Sequence, residues 1–162
     1  MTNANTSQSL LSVGVQKPFH PLPVIGDIVL CRFPYLPGVP GPKERPALVV
    51  RVSPTTHEIM VCFGTSQKTQ TLYPGEFLIS SSDPGFSVSG LDRSTKFDTS
   101  RRAQLPFNDE WFMAAPGLSP QSPSPKLGIM HPCYSQIAVA AAQAKPPTQI
   151  SSVVAKSRSR TP

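Results

Sequence analysis

Apolar and polar positions alternate in short runs through the middle of the chain, and Gly and Pro interrupt the runs too often for helices. Residues 26 to 33 read as a first strand, which Pro34 stops, and residues 46 to 52 as a second. A third, 57 to 63, places Ile59, Val61 and Phe63 on one side and Met60 and Cys62 on the other. Residues 76 to 80 follow the Pro74-Gly75 turn, and two further short strands are expected near 94 to 98 and 103 to 105. Between the first two strands, Pro37, Gly38, Pro40, Gly41 and Pro42 specify a loop. Helical signals come late. Asn108 or Asp109 is placed to cap a short turn through Trp111-Phe112. A helix is expected over 132 to 144, opened by Pro132 and ended by Lys145-Pro146-Pro147, with Tyr134, Ile137, Val139 and Ala141 as its apolar face. The pattern predicts a mainly β fold with a C-terminal helix, its five or six short strands making a small barrel or two-sheet roll.

Composition sharpens the boundaries. At 162 residues there is room for one domain plus tails. Hydrophobic content is 38% and charged content 15%, both low for a globule, and the deficit lies at the ends. Residues 1 to 19 are expected to be a disordered N-terminal tail, 20 to 144 the domain, and 145 to 162 a disordered basic C-terminal tail. Within the domain, residues 116 to 125 form a Pro/Ser-rich loop. No signal peptide or membrane-length run is present, which points to a cytoplasmic protein. Of the net charge of +6, Lys145, Lys156, Arg158 and Arg160 sit in the C-terminal tail and Lys17 in the N-terminal one, so the middle of the chain is nearly neutral. Cys31, Cys62 and Cys133 are widely spaced with no C-x-x-C, which argues against a zinc site or a disulfide framework. His20, His57 and His131 have no partner at ligand spacing. No cofactor or metal is implied.

The most chemically informative stretch is Pro42-Lys43-Glu44-Arg45-Pro46-Ala47-Leu48-Val49-Val50. Pro46 suits a strand start and biases Arg45 toward an extended conformation, holding a guanidinium fork at a rigid rim where it suits phosphate. The plainer alternative is a surface cation at a strand start. Thr65 and Ser66 follow Gly64 at the end of the third strand, where a glycine admits close approach and hydroxyls can donate to phosphate oxygens. Their plainer reading is a polar strand end. Ser94-Thr95-Lys96-Phe97-Asp98 offers Lys96 and Asp98 on one strand face, either as a proton-transfer pair or as a solvated or structural pair. Arg101 and Arg102 either bind nucleic-acid backbone or flank a strand. Phe107, Trp111 and Phe112 are expected to be core beneath the C-terminal helix rather than a base-stacking platform.

Gly26-Asp27-Ile28-Val29-Leu30, the Gly/Pro loop, Lys43-Glu44-Arg45-Pro46-Ala47-Leu48-Val49-Val50 and Phe63-Gly64-Thr65-Ser66 together resemble the PemK/MazF-like toxins of bacterial type II toxin–antitoxin systems. The resemblance spans roughly residues 24 to 142 and is carried mainly by the first third. It implies a small SH3-like β-barrel of the PemK/MazF/CcdB-like fold, usually a homodimer. The implied activity is metal-independent, sequence-selective endoribonuclease cleavage of single-stranded mRNA. Arg45 and Thr65 would be the catalytic pair, with Ser66 beside them and Asp98 assisting proton transfer. Lys43, Lys96, Arg101 and Arg102 would contact RNA. The implied partners are single-stranded RNA, a cognate antitoxin and, through the antitoxin complex, operator DNA; no membrane is implied. The rival expectation keeps the barrel without the chemistry: a non-catalytic module that binds nucleic acid or poisons a protein target such as gyrase.

Overall fold

The computed structural model describes residues 15–117 and 122–151. The chain is mainly β: β1 (Asp27–Cys31), β2 (Arg45–Ser53), β3 (Glu58–Thr65), β4 (Glu76–Ile79), β5 (Thr95–Pro106), β6 (Lys126–Ile129), then α1 (Ser135–Ala144) and β7 (Thr148–Ser151). Six strands form one curled antiparallel sheet in the order β4-β5-β3-β2-β1-β6, and β7 adds to β5 in parallel.

The middle stretches of β1, β2 and β3 are apolar and buried at successive positions because the sheet is covered on both faces. On one face Val29, Cys31, Ala47, Val49, Ile59, Val61, Ala103 and Leu105 pack beneath Phe33, Phe107, Trp111 and Phe112. On the other, Ile28, Leu48, Cys62, Phe77, Ile79 and Phe97 pack with Tyr134 and Ala141. The aromatic group Phe107-Trp111-Phe112 is therefore core as expected, but α1 lies across the opposite face. The Asn108–Phe112 segment is the expected capped turn: Asn108 Oδ1 accepts the Glu110 N–H at 3.1 Å and its backbone carbonyl accepts the Phe112 N–H at 3.0 Å.

The helix covers the sheet through Tyr134, Ala138 and Ala141, a spacing of four and three, whereas Ile137 and Val139 stay exposed. Its approach is set by a 3₁₀ turn at Pro132–Tyr134, in which His131 Nδ1 accepts the Cys133 N–H at 3.0 Å. The Tyr134 hydroxyl donates to Asp83 Oδ2 at 3.0 Å, joining this turn to the segment after β4.

The Gly26-Asp27 pair has a structural role. Gly26 adopts φ 95°, and the buried Asp27 carboxylate accepts the Val24 N–H at 3.0 Å on Oδ2. Asp27 Oδ1 faces Lys126 Nζ at 3.3 Å as an ion pair without hydrogen-bond geometry, tying β1 to β6.

Two expected short strands are one long strand, β5, with a three-residue step in its pairing to β3. Phe63 pairs with Asp98, yet the adjacent Cys62 pairs with Arg102, so Thr99, Ser100 and Arg101 are extra. The step is pinned from outside, with the Thr99 N–H and hydroxyl both donating to the Gly75 carbonyl, at 2.8 and 2.7 Å. Because the insertion is odd, even-numbered residues face the Phe63 side before it and odd-numbered ones after it. β6 and β7 have no clear alternation and were not anticipated. β7 falls within 145 to 162, a stretch expected to lack structure; its backbone pairs with Arg101–Gln104 along an edge that β4 leaves open. At the other end, Pro18 bridges Asn108 and Phe19 packs on the first core, so ordered pairing begins before residue 20. The predicted loop 116 to 125 lies partly outside the described residues, as do most of both expected tails. No helix among the described residues is long and apolar enough to cross a membrane.

Burial raises the Cys62 thiol to about 12 and the Cys31 thiol higher still, while Cys133 is exposed. Because thiolate is the reacting form, a disulfide reagent at about pH 8 should titrate Cys133 alone in the native chain and all three thiols after denaturation. Fast native reaction of a second thiol would contradict this packing.

Candidate nucleic-acid interface

The face of the sheet that carries the first core does not end where the core ends. Ala47, Phe63 and Asp98 stand in one row across β2, β3 and β5, and Thr65 and Lys96 stand in the next. Arg45 begins β2 two residues before Ala47, so it emerges on the same side. As the last residue of the step in β5, Arg101 arrives there too.

Arg45 Nε donates to the Tyr35 hydroxyl at 3.0 Å, and its guanidinium carbon lies 5.5 Å from the Phe63 ring centroid. Arg101 stacks on the same ring at 4.2 Å and reaches Phe33 and Tyr35 at 5.5 Å each. Two half-buried guanidinium groups thus share one aromatic ring, and neither is paired with a carboxylate among the described residues. Each cation–ring contact contributes about 0.5–1 kcal/mol at such sites. That offsets part of the repulsion between two like charges, and an anion between them would remove the rest. Arg32, nearby, is already satisfied by Glu44 at 3.4 Å and by the Asp109 carbonyl at 2.8 Å. Lys43 is exposed on the loop leading to Arg45.

Thr65 Oγ1 accepts the Gln67 N–H at 3.1 Å, which uses a lone pair and leaves the hydroxyl proton free to donate outward. Ser66 is exposed beside it. Gly64, however, does not serve the approach of a phosphate from this side. A Cβ there would point to the opposite face, into the Pro46 carbonyl oxygen and within 2.8 Å of the Phe97 ring. The glycine lets β2 and Phe97 pack closely.

Lys96 and Asp98 share the face but are not partnered. Lys96 Nζ lies 2.8 Å from Glu76 Oε2 and donates to the Thr71 carbonyl at 2.9 Å, with side-chain exposures of 8% for Lys96 and 13% for Glu76. It fastens the 66–75 loop to the sheet rather than facing solvent. Asp98 Oδ1 accepts both the N–H and the hydroxyl of Ser100, and its Oδ2 makes no hydrogen bond among the described residues. Arg102 diverges from Arg101: its Nε donates to the Thr99 carbonyl at 2.8 Å, and it lines an apolar cavity of about 290 Å³ against α1 on the far face. The structure therefore brings together Arg45, Thr65, Ser66, Asp98 and Arg101, and separates Arg102 from them.

The aromatic wall of Phe33, Tyr35 and Phe63 was not singled out from sequence. Its only signal was Pro34-Tyr35 closing the first strand and Phe63 ending an alternating run. Among the described residues no cluster of three or more His, Cys, Asp or Glu side chains could hold a metal ion. No protein-family model matches the chain, and no curated protein matches it.

The Lys96–Glu76 pair is buried enough that removing one partner strands a charge. Lys96→Ala is expected to lower stability by about 3 kcal/mol in urea denaturation, with the Lys96→Ala/Glu76→Ala double variant costing less than the two single changes together. A loss near zero for Lys96→Ala would mean the pair is effectively solvated.

Proposed function

We propose that the chain is a PemK/MazF-like toxin with an SH3-like barrel, a metal-independent endoribonuclease that cuts single-stranded mRNA at short sequence motifs. The observation that carries this reading is the unpaired Arg45–Arg101 couple on the Phe63 ring, next to the free hydroxyl proton of Thr65. Two guanidinium groups and a hydroxyl supply the positive field and the donors that a phosphorane dianion requires. In the reaction the 2′-oxygen attacks phosphorus and the bond to the 5′-oxygen breaks. A 2′,3′-cyclic phosphate and a 5′-hydroxyl result, and the proton lost from the 2′-hydroxyl is balanced by the one gained at the 5′-oxygen. Arg45 and Arg101 neutralise the equatorial oxygens and Thr65 donates to one of them. Asp98, through its free Oδ2, is the group on this face able to accept the 2′ proton; arginine stays protonated and makes a poor base.

A second reading rests on one observation: Asp98 Oδ1 is already occupied by Ser100, so the carboxylate has a structural role in the β5 step. On that reading the same face binds nucleic acid, or a protein target, without cutting.

Purified protein is expected to cleave single-stranded RNA in EDTA, and Arg45→Ala to slow cleavage about a hundredfold, the usual cost of one preorganised donor at a developing oxyanion. Cleavage lost on chelation and restored by Mg²⁺ would overturn the metal-free mechanism. RNA bound through Arg45 but never cut would select the second reading.

The assembly follows from the same proposal: an isologous homodimer placing two such faces along one RNA groove, blocked by an antitoxin whose acidic, extended segment neutralises the arginines. Operator DNA would be engaged through that antitoxin complex. Sedimentation at micromolar concentration should report a dimer, and both RNA and an acidic competitor peptide should bind more weakly as salt rises. An active monomer would contradict the shared groove.

A further inference from the structure

We infer that Tyr35 and Tyr73 form a clamp for the bases at the two ends of the bound segment, so that these two rings hold the single strand in register; the inference rests on the nuclease reading above. Tyr35 stands beside Arg45 at one end of the face, and Tyr73 lies at the other, beyond Thr65 and over the buried Lys96, where it also borders a groove against α1. From β2 to β4 the face crosses three strand spacings, roughly 14 Å, enough for a few nucleotides of extended single strand. The two tyrosines close its ends.

Both rings are unusual for their position. Tyr35 is 43% exposed and Tyr73 is 61% exposed, so neither contributes much to a core. Each has a cation against it: Arg101 at 5.5 Å from the Tyr35 centroid and Lys96 Nζ at 5.5 Å from that of Tyr73. The Tyr35 ring is held through its hydroxyl, and the Tyr73 backbone is anchored beside Lys96. Tyr35 accepts from Arg45, and the Tyr73 backbone N–H donates to Glu76 Oε2 at 3.2 Å, the carboxylate that also fixes Lys96. An exposed ring with a cation against it, beside a phosphate site, is a stacking platform, because every base has a face to stack and the backbone charge has already brought the strand there. The unpaired arginines select a polyanion, and the rings select one with exposed bases. Single-stranded RNA satisfies both.

The two tyrosines differ in one respect that the test uses. The Tyr35 hydroxyl orients Arg45, whereas the Tyr73 hydroxyl makes no hydrogen bond among the described residues. Tyr73 can therefore be changed without disturbing the arginines.

The probe is a mixed-sequence 2′-O-methyl single strand, which cannot be cut, titrated against the full chain in EDTA, alongside the same backbone without bases. Tyr73→Ala should weaken binding of the base-bearing strand about tenfold or more and leave the abasic strand unaffected. Tyr73→Phe should bind like the wild type. Tyr73→Trp should bind as well and show its emission quenched on addition of strand, above the constant signal of buried Trp111. Tyr35→Phe should keep binding but lose cleavage rate, whereas Tyr35→Ala should lose both. The clamp is overturned if Tyr73→Ala binds the base-bearing strand like the wild type while Arg45→Ala does not, or if Tyr73→Ala weakens both strands equally. It is likewise overturned if that variant lowers only thermal stability, which would make the ring a packing group of the neighbouring groove against α1. A wild-type chain that binds neither strand overturns the nuclease reading itself.

Discussion

A sheet buried on both faces leaves chemistry very little room. In β1, β2 and β3 successive residues enter opposite cores, so a polar side chain in the middle of these strands would have no water and no partner. Only where a row of side chains runs past the core can charge be displayed, and one such place is the start of β2 with the end of β3. The candidate site is located by that constraint before any functional argument begins. Arg45 and Thr65 lie within two residues of the fully buried Ala47 and of Phe63, which borders that core, and inherit the rigidity of both strands.

Within this narrow window the charges are unevenly treated. Arg32, Lys96 and Lys126 each face a carboxylate, and Arg102 is held against a backbone carbonyl. Arg45 and Arg101 have aromatic rings instead. Rings orient a guanidinium without neutralising it, whereas a carboxylate would do both. The face is thus kept positive locally although the middle of the chain carries almost no net charge. Global charge is a poor guide to such a site.

How much of this was legible beforehand depended on how local the determining physics is. Strands β1 to β4 follow from runs of apolar residues and Pro/Gly punctuation, and they appear within a few residues of expectation. Arg45 and Thr65 could be singled out because each abuts a strand terminus marked by Pro46 or Gly64. The choice between Arg101 and Arg102 could not be made. It depends on a three-residue step in β5, held by a turn some twenty-five residues earlier, and alternation counted along the sequence assigns the wrong parity beyond it. The Lys96–Asp98 pairing fails for a related reason: same-face residues need not be partners when an adjacent strand supplies Glu76. β7 was hidden because four backbone pairings, rather than a core-forming pattern, attach it. Of the expected helix face, Tyr134 and Ala141 are buried, whereas Ile137 and Val139, which outrank alanines in hydrophobicity, stay exposed because close packing on the sheet favours Ala138 and Ala141.

The attachment of β7 has a mechanical consequence. β5 is the one strand among those described with three neighbours: β3 along one edge, β4 and β7 end to end along the other. β7 lies parallel to β5 and begins opposite Arg101, directly after the helix that rests on the far core. A pull on the chain beyond residue 151 would therefore load these hydrogen bonds in shear, all at once, rather than opening them one by one. The tension would run back through β7 to α1, and the first site residue along that line is Arg101.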